Sequence, residues 1–332
     1  MKLFVAVLCY RIPDLTIDCL RSLSGEVERV PGIKVGVCEN GTGGEAAEQL
    51  ARAIEENGWS SWCELTVVSQ NRGFTGGNNL LIRPLLESAD PPEYVLLLNA
   101  DTIVQEHALE ALVQFMDNYP KAGIAGSQLL SREGGVQGSP FRFYSFLTEL
   151  DRGLRLGVVA KLVSACVTAP KTACSADWVA GTSMILRRSM LDQIGLLDEG
   201  LYSYFDDIDI CLRARDAGWE TWYVPQSKII HFGGAATEIG RVRKQLPSYW
   251  FEARRRYFLK NCGKLHTALA DVAFLCGFAC WRLRRRIQRK PDVDPPHMLA
   301  DSFRHSVFCS GFQLRDVKNP VLQELEPAGI TE

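Results

Sequence analysis

Four short apolar runs punctuate the first hundred residues, at 3–9, 33–38, 65–69 and 94–98. Each is near-continuous rather than alternating, which is the pattern of strands buried on both faces of a parallel sheet. Between them, 13–29, 44–57 and 76–88 have helical periodicity, and Pro13 opens the first where a missing amide costs least. Repeated β–α winding follows, and with it an α/β fold. A further strand is expected near 123–129, and an apolar run covers 178–186. By contrast, 140–176 carries no pattern that assigns elements. Ile208, Cys211, Leu212 and Ala214 form a helical stripe stopped at Gly218, and a β-like run ends at His231. From Leu246 the chain reads as a basic amphipathic helix, SYWFEARRRYFLKNCGK, and then an apolar one with a cationic end, HTALADVAFLCGFACWRLRRRIQRK. The expected division is a sheet domain over 1–245 and a helical, basic extension over 246–332.

Composition narrows the class. The 332 residues, 46% hydrophobic and 23% charged, can bury a large core and exclude disordered, collagenous and polytopic membrane proteins. The start, MKLFVAVLCY, is too short an apolar run for a secretion signal and is followed by Arg11 and Pro13, so it reads as a buried strand. Eleven scattered cysteines, odd in number and without a CxxC pair, indicate neither a disulfide framework nor a zinc ribbon and point to a reducing cytosol. The net charge of −2 hides an asymmetry, because 241–290 carries 14 Lys/Arg against 2 Asp/Glu. An anionic partner is expected there. The apolar segment 272–281 has ten residues, against about 20 needed to cross a bilayer. The block is therefore expected to dock on an anionic membrane surface, with Phe278 and Trp281 as apolar anchors. A solvated face or an oligomer interface also fits. Nucleic acid is not expected, since no binding module accompanies the charge.

Ligands of wound sheets sit beyond the carboxyl ends of the strands. The residues there are Cys9 and Tyr10, Glu39 and Asn40, Asn71 with its glycines, and 99–102. NRGFTGGNN (71–79) can bring backbone amides to a phosphate at a helix start, or serve only as a turn. It is neither a GxGxxG after the first strand, where CYRIPD stands, nor a GxxxxGKS/T loop, so dinucleotide and P-loop enzymes are disfavoured. In LLLNADT, Asn99 and Asp101 fall on one side of an extended chain, suiting a hard cation shared with a diphosphate, or an Asx turn. Asp206, Asp207 and Asp209 crowd the first turn of a helix, more carboxylates than capping requires, and one of them suits a general base. His231 is a further candidate metal donor.

Taken in order, NRGFTGGNN, LLNADT, WVAGTSMILRR, GLLDEGLYSYFDDIDICLRARDAGW and HFGG resemble the family 2 inverting glycosyltransferases of GT-A fold. The resemblance is to their bacterial rhamnosyltransferase-like branch and covers roughly residues 1–260. It implies a mostly parallel wound sheet flanked by helices, with a donor pocket drawing on Cys9, Tyr10, Glu39, Asn71, Gly73, Phe74, Gly77, Asn78, Asn99 and Gly181. Asp101 and His231 are implied as ligands of Mg or Mn, with Asn99 replacing the first aspartate of the DxD motif. Asp206 and Asp207 match the acidic pair, and Asp207 is the implied base. The implied donor is dTDP-rhamnose or otherwise a UDP-sugar, and the implied acceptor is a glycan or a polyprenyl-diphosphate-linked glycan of the cell surface. The enzyme would sit peripherally at the cytoplasmic face of a bacterial plasma membrane, with homo-oligomerisation left open. Two rival readings are a non-catalytic relative acting as a scaffold and a nucleotidyltransferase making sugar nucleotides.

Overall fold

The computed structural model describes residues 1–137, 140–163, 168–233 and 244–317. Gly234 of the HFGG segment and residues 241–243 of the basic block lie outside them. The chain begins β1 (Leu3–Cys9), α1 (Pro13–Arg29), β2 (Ile33–Asn40), α2 (Ala46–Glu56), β3 (Cys63–Val68), α3 (Gly73–Leu86) and β4 (Tyr94–Asn99). It continues through β5 (Thr102–Val104), α4 (Ala108–Asn118), β6 (Ala122–Leu130), α5 (Phe146–Leu154), α6 (Gly157–Val163), β7 (Cys174–Ala176) and β8 (Ser183–Arg187). The last elements are α7 (Arg188–Ile194), α8 (Asp206–Asp216), β9 (Glu220–His231), α9 (Ser248–Ile287), α10 (Met298–Arg304) and α11 (Val307–Ser310). They group into two compact units: Met1–Phe141 with Cys166–Asp198 and Asp206–Thr237, and Arg142–Ala165 with Glu199–Phe205 and Glu238–Glu332.

The first unit holds a mixed sheet in the order β3-β2-β1-β4-β8-β6-β9-β5, with β7 also paired to β9. Strands β3, β2, β1 and β4 are parallel, as their continuous apolar runs predict. Leu20, Leu23, Leu109, Leu112 and Met116 of α1 and α4 pack with Val5, Val35 and Leu96 in one core. The direction of the remaining strands decides what reaches the mouth of the sheet. Because β8 is antiparallel to β4, its start lies at the carboxyl end of β4, with Ser183 opposite Leu98 and the Asn99 amide donating to the Thr182 carbonyl at 2.9 Å. Likewise β9 runs antiparallel to β5, which sets His231 opposite Thr102. Segments far apart in sequence thereby converge.

The second unit is helical. Gly263, with φ of 79°, breaks α9 close to where the sequence divides it into two helices. Phe251, Phe274, Phe278 and Met298 form its core. Phe278 is 1% exposed, and the half-buried Trp281 ring donates from Nε1 to Asp294 Oδ2 at 3.0 Å. These two aromatics are therefore not surface anchors, contrary to expectation, because the unit uses them to build its own interior. Beside that core the buried Arg254 bridges two carboxylates, with Nε 2.8 Å from Glu149 Oε2 and Nη1 2.6 Å from Asp271 Oδ1. Burial alone would raise the Glu149 carboxyl, but Arg152 and Arg254 outweigh it and hold the group below its ordinary value.

Removing one partner of such a pair leaves a buried charge uncompensated, at a cost of about 3–5 kcal/mol. Glu149→Ala should therefore speed amide hydrogen exchange throughout α9. Protection equal to the wild type would contradict the bridging role of Arg254.

Candidate active site

Asn40 closes β2 and organises the loop that follows β3. Its Nδ2 donates to Asn71 Oδ1 at 3.1 Å and to the Gly73 carbonyl at 3.2 Å, and its Oδ1 accepts from the Arg72 amide at 3.0 Å. Asn71 Oδ1 also accepts from the Gly73 amide at 2.8 Å, so α3 starts at Gly73 rather than at Gly76. The loop lies directly on Gly41, whose φ is +75° and where an added Cβ would fall 2.5 Å from the Asn71 nitrogen. A side chain there would push the loop off the sheet.

Within NRGFTGGNN the roles divide. A Cβ at Gly77 would lie 2.4 Å from Leu8 Cδ1, so this glycine seats α3 on β1. The buried Asn78 donates to the Phe74 carbonyl at 2.8 Å. Asn79 clamps a distant segment, donating to the Leu197 carbonyl at 2.9 Å and accepting from its amide at 3.2 Å. At the ends of β1 and β2, Glu39 accepts from the Thr42 amide at 2.7 Å, and the Arg11 guanidinium lies over the Tyr10 ring, 4.9 Å from its centroid. Cys9 is fully buried, and burial pushes its thiol pKa up.

Asp101 sits between β4 and β5, and its carbonyl accepts from the Phe232 amide at 3.0 Å. Across that pairing, Asp101 Oδ1 and His231 Nε2 are 3.4 Å apart. Gln137 Oε1 lies 3.2 Å from His231 Nδ1, and Gln137 Nε2 donates to the His231 carbonyl at 3.0 Å. A proton on Nδ1 given to Gln137 leaves the Nε2 lone pair facing the carboxylate, an orientation usual for metal-ligating histidines. Two donors each about 2.1 Å from an octahedral cation stand about 3 Å apart, so the pair fits Mg or Mn. Among the described residues no third His, Cys, Asp or Glu joins them. Such cations commonly complete their shell with phosphate and water.

The three aspartates of α8 separate by partner. Asp209 is fully buried against Arg213, with Oδ2 2.9 Å from Nε, and Arg213 in turn donates to the Ile194 and Leu196 carbonyls at 2.8 Å each. That carboxylate is structural. Asp206 is buried at the start of the helix. Asp207 accepts from the Gly181 amide at 3.3 Å and from its neighbour Ile208 at 2.9 Å. Burial raises its pKa from 3.8 to about 6, against the lowering effect of these amides. A Cβ on Gly181 would lie 3.5 Å from Asp207 Cβ and 3.8 Å from the Phe74 ring. Three motifs separated along the chain thus meet at Gly181, two residues before the strand that borders Asn99.

Sequence reasoning read Asn40 only by its position and missed Asn79, Gln137 and Arg213. Asn79 was visible as the last letter of NRGFTGGNN. Gln137 meets His231 across a long sequence separation that leaves no pattern, whereas the i,i+4 spacing of Asp209 and Arg213 was a signal that could have found Arg213.

The rhamnosyltransferase WbbL of Escherichia coli is 26% identical over 163 residues, 48% of this chain and 61% of that protein. The N-acetylglucosaminyl-diphospho-decaprenol L-rhamnosyltransferase of Mycobacterium tuberculosis is 25% identical over 156 residues, 44% of this chain and 48% of that protein. The match thus spans about half of the mycobacterial relative's length. Among solved structures, GalNAc-T7 with UDP, GalNAc and Mn2+ superposes with a TM-score of 0.58 at 13% identity, over 92% of this chain and 54% of that one. The mannosyltransferase PcManGT of Pyrobaculum calidifontis, in complex with GDP-Man and Mn2+, gives 0.54 at 13% identity over 94% and 84%. These likenesses establish the GT-A fold. The family described as glycosyltransferase like family 2 matches residues 2–263, and the chain belongs to that family.

Proposed function

We propose that the chain is an inverting, metal-dependent glycosyltransferase that moves a sugar from a nucleoside diphosphate onto an acceptor hydroxyl. The observation carrying this is a convergence: Asp101, after β4, and His231, at the end of β9, stand 3.4 Å apart, and Asp207 accepts from the Gly181 amide two residues before β8, whose start borders the end of β4. A carboxylate titrating near neutrality is ionised at working pH and still basic enough to take a proton in the transition state. Asp207 removes the acceptor's hydroxyl proton as that oxygen attacks the anomeric carbon from the face opposite the departing diphosphate, so configuration inverts. Asp101 and His231 would hold Mg or Mn, which would supply neutralisation of the charge on the leaving group. Asn99, neutral where the motif usually has an aspartate, leaves Asp101 as the main carboxylate ligand. Asn71, Gly73 and Phe74 border the nucleotide, with Tyr10 and Glu39 at neighbouring strand ends.

The relatives' names favour rhamnose as the transferred sugar, with dTDP-rhamnose as the donor suggested by a further relative, the dTDP-rhamnosyl transferase RfbF of Shigella flexneri, or otherwise a UDP-sugar. The mycobacterial name favours an acceptor carried on a polyprenyl diphosphate. That acceptor would place the enzyme peripherally on the inner face of a bacterial plasma membrane, in cell-surface polysaccharide synthesis.

Four outcomes follow from these roles. Asp207→Asn should lower turnover by about 10²–10⁴ while retaining donor binding, and near-normal kcat would remove Asp207 from the reaction. Since the base must be ionised, kcat should fall about tenfold per pH unit below the Asp207 pKa of about 6. The folded protein also holds this proton more tightly than the unfolded chain, so stability falls as pH rises from 3.8 to about 6. Asp207→Asn should then raise the thermal midpoint at pH about 8 and leave it unchanged at pH about 3; equal effects at both would contradict the buried carboxylate. Exhaustive EDTA should abolish turnover and Mg or Mn restore it, whereas activity surviving EDTA would exclude the Asp101–His231 site.

A further inference from the structure

The helix after Gly263 is apolar on two opposite faces. One face is occupied: Phe274, Phe278 and Arg285 are buried in the helical unit. The other carries Leu265, Leu269, Val272, Cys276, Ala279, Leu283 and Ile287, all exposed, with Leu265 at 77%, Leu283 at 62% and Ile287 at 73%. At about 100° per residue these side chains fall within a band about 80° wide, centred opposite the buried face. With a rise of about 1.5 Å per residue the stripe runs for about 33 Å. Nothing in the unit's interior explains seven exposed apolar positions in register. Val158 and Leu162 of α6 add two more, at 78% and 73% exposure. They follow directly on Leu154 and Arg155, whose carbonyls accept from Arg284 near the end of the same stripe.

Charge identifies the occupant. Lys264, Arg282 and Arg286 lie along one border of the stripe, about 60–100° from its centre, and Arg289 and Lys290 stand exposed just beyond its end. From Lys264 to Ile287 the one acidic residue is Asp271, and it is buried in the ion pair with Arg254. A second copy paired parallel on this face would oppose like cations end to end. Paired antiparallel, it would bring Arg282 and Arg286 towards Lys264, again without an acid. No helix among the described residues is long and apolar enough to cross a membrane.

We infer that this stripe is the membrane-docking face of the protein. The helix lies in the plane of an anionic bilayer, with Leu265, Leu269, Val272, Leu283 and Ile287 in the acyl boundary and the flanking Lys and Arg among the phosphates. This replaces Phe278 and Trp281 as the anchors and sets the helix parallel to the surface. The inference deepens the proposed use of a lipid-linked acceptor, yet it stands on the helical unit alone and is tested without any sugar transfer.

The test is flotation of the full chain with phosphatidylglycerol–phosphatidylcholine vesicles and with vesicles of phosphatidylcholine alone. Binding is expected to the first, to be at least about tenfold weaker to the second, and to fall steeply with salt. The variant Leu265→Ser/Leu269→Ser/Leu283→Ser alters only exposed positions. Its circular dichroism melt should match the wild type while flotation drops about tenfold or more. Arg286→Glu/Arg289→Glu should lose flotation to the anionic vesicles while keeping the same melt. Unchanged flotation in the serine variant overturns the inference. So does a soluble dimer, seen by light scattering, that the same substitutions dissociate, since the stripe would then belong to a second copy. Loss of sugar transfer in Asp207→Asn with flotation intact would separate failure at the catalytic site from failure of this face.

Discussion

A carboxylate kept only weakly acidic is the constraint on which the site depends. An ordinary aspartate at the start of a helix is a strong acid, stabilised as an anion by the free amides there. Asp207 does accept from two amides, yet burial outweighs them and leaves its pKa near 6. Retaining that proton affinity requires a dry and rigid surround. The sheet unit contributes the Gly181 amide, 3.3 Å from the carboxylate, and fixes Gly181 next to β8, whose start is tied to the end of β4. A Cβ on Gly181 would stand in ordinary contact with both Asp207 and Phe74, which places the three residues around one spot.

The neighbouring aspartates show how environment divides identical chemistry. Asp209, two residues from Asp207, is neutralised by Arg213 and locks α8 to the carbonyls before Leu197. Asp101 faces a histidine whose other nitrogen is oriented by Gln137. One residue type thus stands in three settings: paired with an arginine, half-buried with a raised pKa, and facing a histidine. Strand direction makes this possible: β8, antiparallel to β4, brings its start to the mouth, and β9, antiparallel to β5, brings His231 opposite Thr102.

Much of this was legible in the sequence. Strands β1 to β4 were found because burial on both faces leaves unbroken apolar runs, and α1 because Pro13 marks its first turn. What could not be read was set by tertiary contacts. The apolar run at 178–186 announces a strand but not its direction, which depends on the register of Ser183 with Leu98. Helix α3 starts early because Asn40 and Asn71 hold its first turn, overriding the poor helix propensity of glycine. Helix α5 went unassigned although Ser145 and Thr148 form a capping box, a signal hidden among neighbours without periodicity. The anchors assigned to the basic helix failed for a related reason. A helix apolar on two opposite faces does not reveal which of them the fold will consume.

The account centres on the Asp207 carboxyl, and its titration can be observed directly by infrared difference spectroscopy of the wild type against Asp207→Asn. A carboxylate band appearing with a midpoint near pH 6 is the predicted result. A midpoint at the ordinary aspartate value of 3.8 would contradict it, because the carboxyl would then lack the desolvation that raises its proton affinity.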